Sequence, residues 1–199
     1  MPRHVDHAQR RREIAVAVWQ LVARHGFEGV TLRAVAAEAD ISVGRVQHYY
    51  ATRTELVRDG CQQMLDQARA QYDAQTAALP PVERLRALLH RAVPTTTGWA
   101  FGTVVWNAYQ SKSVDDAEIA ALVARAHADS VARAAACIEE ARSAGVLADG
   151  EDAAALGLRL LATSEGYATR VVVGSLAADD ALRALDQELD ALRRGAAAR

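Results

Sequence analysis

Lysine is almost missing from this chain: Lys112 is the single lysine among 23 basic residues, so arginine carries nearly all the positive charge, a bias that reflects composition rather than function. There are only two phenylalanines, four prolines and two cysteines. No uncharged apolar run approaches the roughly 18 residues that a membrane-crossing helix requires. The N-terminus likewise has no apolar core behind its charged residues, as a secretory signal would. A membrane protein and a secreted protein are both disfavoured, and the expected location is the cytoplasm. Cys61 and Cys137 are far apart, and neither has a second Cys or His at ligand spacing, so both read as buried helix residues. No metal site and no cofactor are expected.

Charge of one sign is also scarce. The formal net charge is −2, which argues against a protein that coats polyanions non-specifically. Residues 1–60 hold nine Arg against seven acids, while the remainder has 14 basic residues against 18 acids. Any contact with nucleic acid must therefore come from a local patch.

What is abundant is Ala, Leu, Val and Arg, which favour helices over sheets. Periodicity and breakers predict an all-α chain of about nine helices. Ile14, Ala17, Val18, Leu21 and Val22 form one stripe of a first helix over residues 6–25, which Gly26 can end in the left-handed conformation. Thr31 caps a second, short helix with Leu32, Val35, Ala36 and Ala39 inward. Asp40 breaks it, and Ser42 caps a third that runs to His48 or Tyr49. Thr52-Arg-Thr-Glu55 has the form of a capping box, with Thr52 bonding forward and Glu55 reaching back to start a fourth helix near Arg53. It runs to about Ala78, where Pro80 and Pro81 break the chain. Further helices are expected over about 82–92, 98–110, from Asp115 or Asp116 to Ser143, 152–173, and from Asp179 to Arg194. Residues 195–199 read as a disordered tail.

Two short helices joined by a turn, with a longer helix before and a capped one after, make a helix-turn-helix unit, here at about residues 31–50. The second helix of such a unit lies in the major groove, where Arg can fork onto guanine and Gln onto adenine, while Ser, Thr, Tyr and His bond phosphates. Ile41-Ser-Val-Gly-Arg-Val-Gln-His-Tyr-Tyr50 suits that surface. Val46 and Tyr50 fall at core spacing, and Arg45 and Gln47 are the best candidate base readers. Arg10, Arg11 and Arg12 are either phosphate contacts or a solvated face.

Gly26-Phe-Glu-Gly-Val-Thr-Leu-Arg-Ala-Val-Ala36, Ile41-Ser-Val-Gly44, Tyr49-Tyr50 and Arg53-Thr-Glu-Leu56 resemble the DNA-binding domain of the tetracycline-repressor (TetR) family. Arg45-Val-Gln-His-Tyr49 also looks like the branch related to the betaine-synthesis repressor. The resemblance implies a DNA-binding domain over residues 1–52 and an effector-binding and dimerisation domain over 53–194. It places Thr31 and Arg33 at the start of the second helix against the DNA backbone. Ser42, Val43, Gly44, Arg45, Gln47, His48 and Tyr49 fall on the recognition helix, and Arg53 where the family usually has a phosphate-binding Lys. The sequence departs from the pattern at Gln47 (often Tyr), Asp40 (commonly Gly) and Tyr50 (commonly Phe).

Trp99, Trp106 and Tyr109 recur on one stripe of the sixth helix, with Phe101, Thr103 and Asn107 between them. They serve either ordinary packing or an effector pocket, whose further walls would be Met64, Leu65, Tyr72 and Glu165. An inward-facing Glu165 would be costly unless a cation paired with it, so a cationic effector held by aromatic faces fits. The last two helices carry small and leucine-rich faces, and the family implies that they form a four-helix dimer interface. The expected protein is a ligand-responsive repressor: a homodimer on a palindromic operator, released by a small molecule. A helical enzyme using His90, His127 or Glu165 has no nucleophile motif, paired carboxylates or metal spacing behind it. An interaction-only dimer would not need Arg45, Gln47 and Arg53.

Overall fold

The computed structural model describes residues 7–197. Nine α-helices, and no strand, make up the described residues: α1 His7–His25, α2 Leu32–Glu38, α3 Val43–Tyr49, α4 Arg53–Thr76, α5 Pro81–His90, α6 Thr97–Lys112, α7 Ala117–Ser143, α8 Ala153–Val172 and α9 Ala178–Ala197. None is long and apolar enough to cross a membrane. α9 runs into the segment expected to be a loose tail; residues 198 and 199 lie outside the described residues.

The caps act where the sequence puts them. Ala34 N–H donates to Thr31 Oγ1 at 3.0 Å and Arg45 N–H to Ser42 Oγ at 3.2 Å. Glu55 N–H donates to Thr52 Oγ1 at 3.1 Å, but the Glu55 carboxylate reaches back one residue beyond its expected partner, to Ala51 N–H at 2.9 Å. The turn between α2 and α3 is left-handed at Asp40, with φ 51, a conformation that Asp tolerates because its short carboxylate can bond locally. A short 3₁₀ turn, Phe27–Gly29, follows α1; the 3.6-residue periodicity of its neighbours gives no sign of it.

Two compact units emerge. The first comprises the chain through Arg69 together with Val105–Val123. This compact unit thus extends past residue 52 into α4 and takes in the second half of α6. Its core is Ile14, Val18, Val30, Val35, Val46, Tyr50, Leu56 and Cys61, each at most 3% exposed. Burial of each such side chain contributes about 1.5–3 kcal/mol for the larger aliphatics. Trp19 donates its indole N–H to Gly60 O at 2.9 Å. A Cβ at Gly60 would stand 2.7 Å from the Tyr109 hydroxyl, so glycine makes room for that ring.

The second unit comprises Ala70–Val104 and the chain from Ala124. Leu85 and Leu89 of α5, Ile138 of α7, Leu156 and Leu160 of α8, and Leu185 and Leu189 of α9 form its centre. α8 approaches α7 at Gly157, where a Cβ would meet that of Ala134 at 3.0 Å. α5 and α9 are tied at the surface by Asp186, whose Oδ1 accepts from Arg86 Nε at 2.9 Å and lies 3.0 Å from His90 Nε2.

Candidate nucleic-acid interface and effector site

On α3 one residue faces inward and the rest face out. Val46 is fully buried, whereas Gly44, Arg45, Gln47 and His48 are exposed and Val43 and Tyr49 half-buried. A helix of seven residues with one buried anchor needs other restraints, and the caps and Tyr50 supply them. Ser42 is exposed with its hydroxyl oxygen on the Arg45 amide, which leaves its O–H free to donate. Thr31 and Arg33 are exposed at the start of α2.

Tyr50 is the foot of the recognition helix, 3% exposed. Its hydroxyl donates to Asp59 Oδ2 of α4 at 2.5 Å. Arg11 Nη2 of α1 donates to the other oxygen of the same carboxylate at 2.5 Å, and its guanidinium lies 5.9 Å from the Tyr50 ring centroid. Burial, and then Asp59, push the Tyr50 phenol far above its usual range, so it stays a donor. The Arg11 guanidinium is raised chiefly by its hydrogen bond to Asp59. Asp59, the node of this network, was invisible to sequence reasoning because its partners lie at separations no helical period marks. Arg11 accordingly serves the fold, while Arg10 pairs with Glu13 at 2.6 Å and Arg12 Nη2 donates to Gln9 Oε1 at 3.0 Å.

Arg53 is exposed but not idle. Its Nε donates to Val30 O at 2.6 Å and its Nη2 to Phe27 O, which clamps the turn ahead of α2. Only its remaining N–H groups are left to meet a phosphate. His7, His48 and Tyr49 form a ring cluster, with His7 and His48 5.6 Å and 5.3 Å from the Tyr49 ring.

The ten residues expected around an effector divide between the two units. In the first, Met64, Leu65, Trp106 and Asn107 are half-buried. Tyr109 takes the packing role of the two its stripe allowed: fully buried, it donates its hydroxyl to Val57 O at 3.0 Å and meets Phe27 edge-on at 5.1 Å. It belongs to the core of the first unit. In the second unit Tyr72 is buried with its hydroxyl on Arg84 O at 3.1 Å, and Thr103 lies 3.3 Å from Trp99 O. Phe101 is half-buried; Trp99 is 39% exposed, its indole N–H donating to Arg91 O at 2.7 Å. Glu165 faces His127, with Nε2 3.7 Å from its Oε1. Burial raises the Glu165 carboxyl above its usual range, and His127 opposes that.

His90 is taken up by Asp186, His127 by Glu165, and no group of three or more metal-ligating side chains occurs among the described residues.

Two family profiles match successive parts of the chain. The profile of bacterial regulatory proteins of the tetR family matches residues 14–59, and that of the C-terminal domain of BetI-type transcriptional repressors matches residues 81–194. The regulator PksA of Bacillus subtilis is 32% identical over 110 residues, 55% of this chain and 54% of its own. The regulator BetI of Agrobacterium fabrum is 29% identical over 91 residues, 45% of this chain and 44% of its own. The chain thus spans about half the length of the curated relatives it matches. A regulator from Saccharomonospora viridis, solved in complex with choline, superposes with a TM-score of 0.83 at 22% identity, over 92% of this chain and 96% of that one. Proteins of this kind regulate transcription and catalyse no reaction. With both halves matched, the chain belongs to the TetR family of transcriptional regulators, in its BetI-like branch.

Proposed function

We propose that the protein is a ligand-responsive repressor that binds a palindromic operator as a homodimer and leaves it when a small molecule occupies the second unit. The observation that carries this reading is the outward set on α3: Arg45, Gln47 and His48 exposed around a buried Val46. Arg45 and Gln47 present the fork geometries that read guanine and adenine edges, and Ser42, Thr31, Arg33, Tyr49 and the free side of Arg53 supply backbone contacts.

α8 supports the dimer. Its inner stripe, Leu156, Gly157 and Leu160, is buried in the chain's own core, while Ala154, Ala155 and Leu158 are exposed, Leu158 at 58%. Small residues beside one leucine suit close packing of the same helix from a second copy. On α9 the expected leucine face splits: Leu185 and Leu189 are used within the chain, and the outward positions carry Arg183, Gln187 and Glu188. α8 is therefore the apolar centre of the interface and α9 its charged rim. A two-fold dimer presents two recognition helices to successive major-groove faces, hence a palindrome.

Release requires an effector that binds the DNA-incompatible arrangement more tightly. Glu165 beside His127, with Trp99 and Phe101 in the same unit, favours a cationic ligand, and the choline bound by the Saccharomonospora relative belongs to that class. α4, which contributes residues to both units, is the lever. Anisotropy with a palindromic promoter fragment tests this. Affinity should fall steeply with salt and fall again on saturation with choline; operator affinity unmoved by choline would sink release by a ligand of this class.

A further inference from the structure

The second unit contains a charged side chain that finds no acceptor among the described residues. Arg91 follows the last turn of α5, and its guanidinium folds over Tyr72, with Cζ 5.8 Å from the ring centroid. Arg133 of α7 covers the same ring at 5.5 Å, but it has a carboxylate of its own, Asp73 Oδ1 at 2.6 Å. Arg91 has no such partner. Among the described residues, no oxygen accepts from its guanidinium N–H groups and no carboxylate lies at ion-pair distance, although its backbone N–H donates to Ala87 O at 3.1 Å. Burial pulls its guanidinium below the usual range and nearby Arg133 adds to that, while Tyr72 and the more distant Asp73 carboxylate oppose it.

Arg91 is half-buried, so partial desolvation of the cation is costly, and solvent alone is left to meet the donors it turns outward. The negative face of the Tyr72 ring and the negative end of α5 recover part of that cost and fix the group in place, but they fill none of its donors. Its neighbours lie in the region already read as the effector site. The Arg91 carbonyl is the acceptor for the exposed Trp99 indole at 2.7 Å. Ser164 donates to Leu89 O at 2.5 Å, which brings the residue preceding Glu165 onto the end of α5, two residues from Arg91.

We propose that Arg91 is the docking point for a carboxylate carried by the effector. The proposal rests on the reading of the second unit as the effector-binding unit and narrows it, because a ligand that also meets Glu165 would be a small zwitterion. A carboxylate fits better than a phosphate. One guanidinium offers two parallel N–H donors to a planar pair of oxygens, whereas a phosphate dianion asks for a second free cation, and Arg133 is neutralised by Asp73.

The test is NMR of the full-length protein with ¹⁵N-labelled arginine, titrated with sodium acetate against sodium chloride at equal ionic strength. The Arg91 Nε signal is assigned in parallel from Arg91→Lys and Arg91→Gln, so that one folded variant suffices. Exposed Arg45 is the internal control. The expected result is a saturable acetate shift at Arg91 with a midpoint at least tenfold below that of Arg45. A response no stronger than that of Arg45, or one that chloride reproduces, overturns the proposal. Operator affinity in the same samples separates the two claims. Uptake at Arg91 with an operator affinity that no ligand moves keeps the carboxylate site and removes ligand-driven release. A choline response without uptake at Arg91 keeps release and removes the carboxylate site.

Discussion

The recognition helix α3 and the helix α8 follow one amphipathic rule and expose opposite chemistries. α3 buries Val46 and shows Arg45, Gln47 and His48; α8 buries Leu156 and Leu160 and shows Ala154, Ala155 and Leu158. The face of α3 is content in water and gains specificity only where groove edges replace that water. α8 exposes an apolar patch beside the charged Arg159, and on the proposed reading that patch is covered by the same helix of a second copy. What a helix turns outward tells which partner it awaits, whereas the buried stripe tells only that it is packed.

That contrast breaks most sharply at Leu158. Replacing it by Glu would put an unpaired carboxylate into the α8 interface, at a cost of about 3 kcal/mol or more in association, so dimers should dissociate at micromolar concentration in sedimentation analysis. Helix content should stay unchanged, because Leu158 is 58% exposed in the single chain. A variant that dimerised as well as the parent would move the interface off α8.

The next largest effect belongs to α3. Arg45→Ala removes a group exposed to solvent and bonded only through its backbone, so thermal stability should hold while operator affinity drops by about 1–3 kcal/mol and preference at one base pair relaxes. Unchanged affinity and preference would remove Arg45 as a base reader.

Tyr50→Phe lies between these regions and probes what holds the reading face. It deletes a hydroxyl bonded to the Asp59 carboxylate at 2.5 Å and leaves the ring in place. A hydrogen bond to a charged acceptor contributes about 1.5–3 kcal/mol, so denaturant midpoints should fall with little change in the salt dependence of DNA binding. An unaltered midpoint would mean that Arg11 alone satisfies Asp59.

How far these roles can be read from sequence depends on the range of the interaction. Thr31, Ser42, Asp152 and Gly145 act on amides or turns within a few residues, and their spacing shows it. The outward setting of Arg45 and Gln47 was legible because α3 has one fully buried position, Val46. Asp59 was not, since Arg11 reaches it across 48 residues and Tyr50 across nine, neither a helical repeat. The stripe of Trp99, Trp106 and Tyr109 left packing and pocket open for the same reason, since the Val57 partner of Tyr109 lies 52 residues away. The unit boundary was hidden too, because α4 runs through it without a Gly or Pro break.

The smallest effect sharpens the comparison within the second unit, which on the proposed reading meets a ligand rather than a groove. Burial raises the Glu165 carboxyl in the folded chain, so the folded state holds its proton to a higher pH than the unfolded one does. Its contribution to stability is therefore greatest in acid and is lost as pH rises from the usual carboxylate range through the raised folded value. With the side chain 42% exposed, and His127 partly compensating when protonated, the effect is modest. Glu165→Gln should raise the melting temperature slightly at pH 7 and leave it unchanged near pH 4. It should also weaken choline binding, a loss that added stability cannot explain. A variant that melted lower at pH 7 would mean that Glu165 serves the fold through His127, and that the ligand's cation must be met elsewhere.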